Sequence, residues 1–187
     1  MAPSNAALAL LAWAFICAPA SAASPRLVRW QPDSKLFYCD VPAGWTPFEE
    51  EDQAGSAVHL LGPDAPTGDF RAGIDIRWVE KGQPGFVPAK KLVEELRRDD
   101  KPTDRHSTPI HPMRVNSLLA RTFEVQETRR LPPEGLPAVE EELHQYVAVI
   151  PSGESYFLVT LASSRETYLD YRQLFIDFLH SFKASYR

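Results

Sequence analysis

Two cysteines, five histidines and two runs of glutamate are the residues whose types could define a catalytic or metal centre. Cys39 sits in the stretch "FYCDVPAGW", residues 37–45. A cysteine nucleophile acts as the thiolate, which needs an imidazole or another cation beside it. No local signature brings His59, His106, His111, His144 or His180 next to Cys39. In an apolar-rich strand, such a cysteine reads as a small buried apolar residue. Ser155 follows Gly153-Glu154, the start of a Gly-x-Ser-x-Gly elbow, but Phe157 stands where the closing glycine belongs. That segment reads as a hairpin turn. A secreted hydrolase using Cys39 or Ser155 is therefore the least favoured of three functional classes.

His106 and His111 share a polar segment, with Asp99, Asp100 and Asp104 close by. Two imidazoles and a carboxylate form a metal-ligand set. Here the spacing is not one that a helix or zinc knuckle fixes, and Pro109 constrains the chain between them. Glu49–Glu51 and Glu140–Glu142 offer oxygens of the kind calcium takes. Consecutive residues of an extended strand point to opposite faces, so a shared ion is awkward. There is no phosphate-cradling glycine loop and no dinucleotide fingerprint. The sequence thus predicts no catalytic residue, no cofactor and no metal site.

The chain has 187 residues and a net charge of -5, with its basic residues dispersed. Nucleic-acid binding needs concentrated positive charge to displace counterions from phosphates, so that class is excluded. From Ala6 to Cys17 the chain is almost wholly apolar. A run of roughly 12 residues suits a secretory signal and is too short to span a bilayer. Pro19 and the small residues Ala20-Ser21-Ala22 complete the pattern. The expectation is a signal peptide over 1–22, cleaved after Ala22 or Ala23, and a secreted or periplasmic product with no stable membrane anchor. Ile16 precedes Cys17 where lipoprotein processing expects a small residue. Removal of the signal leaves Cys39 alone, so the mature domain, 23–187, folds without an internal disulfide.

Those residues must be positioned by a mixed framework. Strands are expected at 26–30, 36–41, 57–62, 73–80, 117–125, 142–150 and 155–163. The acidic run Glu49–Asp52 reads as a solvated loop. "VPAKKLVEELRRDD" carries Ala89, Leu92, Val93 and Leu96 at helical spacing behind Pro88. A polar loop follows over 101–112, and a proline-rich connection over 129–141. Residues 142–150 and 155–163 are apolar on both faces, which predicts central strands covered on both sides. Ser163 and Glu166 fit a capping box. Tyr168, Tyr171, Phe175, Phe178, Leu179 and Phe182 then form one helical stripe. Trp45, just past Pro42-Ala43-Gly44, reads as cover for a sheet end rather than part of an exposed patch with Trp30 and Trp78.

Three features resemble the PsbP-like family, the photosystem extrinsic subunit and related bacterial secreted domains. They are the strand entering "VPAGW", the hairpin "YVAVIPSGESYFLVTLAS" and the ending "YRQLFIDFLHSF". The resemblance spans Leu36 to Phe182. It implies an α+β fold, an antiparallel sheet with helices packed on both faces (an α/β/α sandwich). It also implies a non-enzymatic role, binding and stabilising larger assemblies. The favoured expectation is an exported accessory domain acting on a protein partner in the cell envelope. The alternative is a module for a small apolar or lipid-like ligand, suggested by the aromatic C-terminal helix.

Overall fold

The structure is a computed structural model, and it describes residues 26–52, 55–64, 70–131 and 139–185. The expected signal peptide and the 132–138 part of the proline-rich connection lie outside the described residues. The chain runs β1 (Leu27–Trp30), β2 (Phe37–Pro42), β3 (Thr46–Asp52), β4 (Gly55–Leu61), β5 (Gly73–Val79), α1 (Ala89–Leu96), β6 (His106–Ser107) and β7 (His111–Val115). It continues as β8 (Leu118–Leu131), β9 (Val139–Ser152), β10 (Ser155–Ser164), α2 (Arg165–Ser181) and β11 (Lys183–Ala184). Among the described residues every strand pairing is antiparallel. An eight-stranded sheet has the order β3-β4-β5-β10-β9-β8-β6, with β7 also paired to β8. A three-stranded sheet, β1-β2-β11, stands beside it.

The two strongest strand signals become the centre of the large sheet. Ser152 pairs with Ser155 across a two-residue loop, and Gly153 takes φ 64 there while Glu154 does not go positive. That is the pattern of a type II′ turn, whose twist matches the strands. Residues 146–150 of β9 are all buried. Alternate side chains of the sheet enter two separate cores. One is built from Ile74, Ile76, Ala148, Ile150, Phe157, Val159 and Leu161, with α2 and β2 laid over it. Phe175, Phe178 and Leu179 of α2 are fully buried in it, each such side chain contributing about 1.5–3 kcal/mol of gross transfer free energy. Phe37 stacks on Phe182 at 4.9 Å and meets the edge of Phe157 at 5.8 Å. The second core is smaller: Phe123, Val125, Val147, Val149 and Tyr156 under Val93 of α1.

Helical layers on both faces are not what this sheet carries. Among the described residues there are two helices, of 17 and 8 residues. Eight residues of helix reach roughly 12 Å, whereas seven strand positions at about 4.8 Å spacing, β6 and β7 sharing one edge of β8, make a sheet about 29 Å wide. So α1 caps a patch. Beyond it, Leu158, Thr160 and Ala162 of β10 are only half-buried, although Phe157, Val159 and Leu161 opposite them are fully buried.

Other expectations change for local reasons. Glu49–Asp52 is not a loop: it belongs to edge strand β3, whose backbone pairs with β4 on one side, with Glu50 and Glu51 exposed and Glu49 accepting from the Asp33 N–H at 3.0 Å. The 101–112 segment contains β6 and the start of β7, both paired with β8. Pro112 is tolerated because β7 pairs on one side, and an edge strand can spare the missing N–H. The capping box does not form: Ser164 is the N-cap and makes no side-chain cap bond, its hydroxyl lying 3.2 Å from the Thr167 hydroxyl. Trp45 packs as expected, 8% exposed and edge-on to Tyr171 at 5.5 Å. Gly44 at φ 86 makes the turn that delivers it.

Candidate docking surface

The residues with chemical potential are scattered by the fold. Cys39 is fully buried in the α2 core, and burial pushes its thiol up to about 12. At neutral pH that sulfur holds its proton and is closed to attack. The Ser155 hydroxyl, in the first position of β10, accepts a 3.0 Å hydrogen bond from the Lys81 N–H and so helps bind the β5–α1 segment to the hairpin. His106 on β6 pairs with Asp104 at 3.0 Å, while His111 lies on β7 in register with Thr122. Among the described residues no group of three His, Cys, Asp or Glu side chains is placed to hold a metal ion. The glutamates of β9 engage basic neighbours instead. Arg130 donates to Glu140 at 3.2 Å, and Arg165 donates to Glu142 at 2.7 Å. His144 first, then Arg165, holds the Glu142 carboxyl below the usual carboxylate range.

Three polar arrangements escaped the sequence reading. On β8, Glu127 is 4% exposed and receives Arg105 at 2.6 Å, Gln145 at 2.7 Å and Arg129 at 2.5 Å. Arg105 also donates to the Leu96 carbonyl at 2.7 Å, tying the end of α1 to the sheet. This is a structural clamp. At the other end of the same face, the His59 ring contacts Asp75 through Nδ1 and lies 3.4 Å from Glu50 through Nε2. The third is a recess of about 320 Å³ on the α2 side, lined by His111, Thr122, Glu124, Tyr146 and Arg172. Arg172 donates to Glu124 at 3.0 Å, so the recess offers no net charge for a ligand.

The face that α1 leaves partly uncovered offers exposed apolar surface for binding. Residues paired across antiparallel strands project on the same side. One cross-strand row on this face reads Glu50, Ala57, Arg77, Leu158, Val149, Arg121, Pro112. The neighbouring row reads Phe48, His59, Asp75, Thr160, Val147, Phe123. Phe48 is 55% exposed and Leu119 63%. Two apolar grooves flank α1. One, of about 310 Å³, is lined by Val79, Phe86, Leu92, Tyr156 and Leu158. The other, of about 380 Å³, is lined by Ala89, Ile110, Pro112, Leu119, Arg121 and Val149. Both volumes fall in the range of ligand-binding clefts. The segment entering α1 is pinned between them, because the Tyr156 hydroxyl donates to the Val87 carbonyl at 2.7 Å.

The expected strand over 117–125 carries Leu119 on the same side as Phe123 and Val125. What the sequence did not reveal is the shortness of α1, the one helix among the described residues that packs on that side.

No family model matches the chain, and no curated protein matches it. Solved structures do. The chain resembles cyanobacterial PsbP from Synechocystis sp. PCC 6803, with TM-score 0.52 and 12% identity, over 90% of this chain and 98% of that one. It also resembles the Saccharomyces cerevisiae Ran-binding protein Mog1p, with TM-score 0.54 and 12% identity, over 87% and 97%. A Pseudomonas aeruginosa protein of unknown function aligns with TM-score 0.51 and 14% identity, over 83% and 94%. At these identities the likeness establishes the PsbP/Mog1p-type fold. The described residues contain no helix long and apolar enough to cross a membrane.

Proposed function

We propose that this chain is an exported, non-enzymatic binding domain that docks a protein partner of the cell envelope on the open face of its large sheet. The observation that carries this reading is the mismatch between sheet and cover. A 63% exposed leucine and two apolar grooves lie where a second helical layer would otherwise be. Exposed contiguous apolar surface of this kind marks interaction sites. The signal-like segment at 1–22 supports export. The Ran-binding description of Mog1p supports protein recognition as a use of this fold. The burial of Cys39 and the hairpin position of Ser155 favour a role without covalent catalysis.

The test is affinity capture from native envelope extract under mild cross-linking, comparing the protein with its Leu119→Asp variant. The expected result is one specific protein retained by the wild type and lost with the variant. Equal retention by both, or no retention at all, contradicts the proposal. A second reading, a small apolar or lipid-like ligand, is favoured by the 310 and 380 Å³ volumes of the grooves. Native mass spectrometry of purified protein decides it: a co-purifying adduct supports the ligand, a clean mass does not.

A further inference from the structure

The groove between α1, β7 and β8 has a charge as well as a shape. It is lined by Ala89 at the start of α1 and by Ile110, Pro112, Leu119, Val149 and Pro151. Into this apolar setting projects Arg121, an exposed residue whose register partners are Val149 and Pro112. Among the described residues its guanidinium has no ion pair and no hydrogen bond. This contrasts with Arg29, Arg105, Arg129, Arg130, Arg165 and Arg172, each held by a carboxylate. The chain carries a net charge of -5, so carboxylates are in excess, yet none is provided here.

The α1 rim has the same sign. Pro88 is the N-cap and makes no side-chain cap bond, and the first turn contains no acidic residue. The unpaired N–H groups and the dipole of that end favour negative charge. Lys90 stands exposed one residue inside it. On the far side of the shared cross-strand row, Leu158 extends the apolar floor toward Arg77.

Resting on the docking reading above, we infer that the segment of the partner seated in this groove is apolar and carries a carboxylate that meets Arg121. Apolar side chains supply the area removed from water, and the carboxylate sets register through the guanidinium fork. A basic apolar segment would bring like charges together at Arg121 and be rejected.

The experiment titrates isotope-labelled purified protein with three probes, following backbone amide resonances. They are a short blocked peptide alternating leucine and glutamate, its leucine–lysine counterpart, and dodecanoate. The expected result is that the glutamate peptide moves the amides of Ala89, Leu119, Arg121 and Val149 while the lysine peptide does not. Arg121→Glu should weaken the glutamate peptide by at least about tenfold and admit the lysine peptide. An unchanged urea midpoint shows that the variant is folded. Equal binding of both peptides, shifts centred instead around Leu169 on α2, binding of dodecanoate alone, or no binding by either peptide overturns the inference. Its failure is separable from failure of the docking reading. If no peptide binds but Leu119→Asp still abolishes partner capture, only the charge assignment falls. If capture ignores Leu119→Asp, the docking reading falls whatever the peptides do.

Discussion

Leu119 and Phe123 are two turns of the pleat apart on one strand and one face, and they should respond to truncation in opposite ways. Phe123 is 1% exposed beneath α1, among Val93, Val125, Val147 and Tyr156. Phe123→Ala removes that payload and leaves a cavity, so the expected loss is about 3–5 kcal/mol. Leu119 is 63% exposed, so little more than a third of its surface is withdrawn from water. Full burial of a leucine is worth about 1.5–3 kcal/mol, so Leu119→Ala should cost no more than about 1 kcal/mol. Urea unfolding of the two variants, with m-values equal to wild type, reads the difference as a shift in midpoint. A loss above about 2 kcal/mol for Leu119→Ala would mean that something of this chain covers that end of the face. That end of the face would then not be an open docking surface. A loss below about 1 kcal/mol for Phe123→Ala would refute the second core.

Three further outcomes follow from buried and charged groups. Glu127→Ala strands the largely buried Arg105 without its carboxylate, so denaturant unfolding should show a loss of about 3–5 kcal/mol, with Glu127→Gln milder. Cys39, with its thiol pushed up to about 12, should resist alkylation in native protein and react fully once unfolded, as mass spectrometry of timed samples will show; fast native labelling contradicts its burial. Glu142 has its folded pKa depressed by His144 and Arg165, so its contribution is fully present above the unfolded value of about 4.3 and is lost as pH falls toward the folded one. Glu142→Gln should flatten the acid limb of the stability profile, measured by thermal melts from neutral to low pH.

The legible parts of this fold were those with strong apolar period. The β9–β10 hairpin stood out because both of its faces enter cores. The α2 stripe was readable because Phe175, Phe178, Leu179 and Phe182 lie on one helical face. Polar edge strands were not readable. In β3 the run Glu49-Glu50-Glu51 has no alternation, since neither face is deeply buried, and backbone pairing to β4 alone makes it a strand. Strand β6 is two polar residues and β7 is five residues interrupted by Pro112, and both exist because β8 is long enough to pair with them. The capping box failed by one residue, because Ser163 and Ser164 remain in the β10 ladder and the helix starts at Arg165. The docking surface was invisible as a motif. It is made by residues from β7, β8, β9 and the start of α1, which come together only through register and through the shortness of the helix above them.

The most direct test of the open-face claim is site-specific photocross-linking in the cells that make the protein. One photoreactive residue replaces Leu119 and, in a second strain, another replaces Leu169, which is 77% exposed on the opposite, α2 side. The account predicts a discrete cross-linked protein from position 119 and none from position 169. The same product from position 169, or none from position 119 in folded protein, contradicts it.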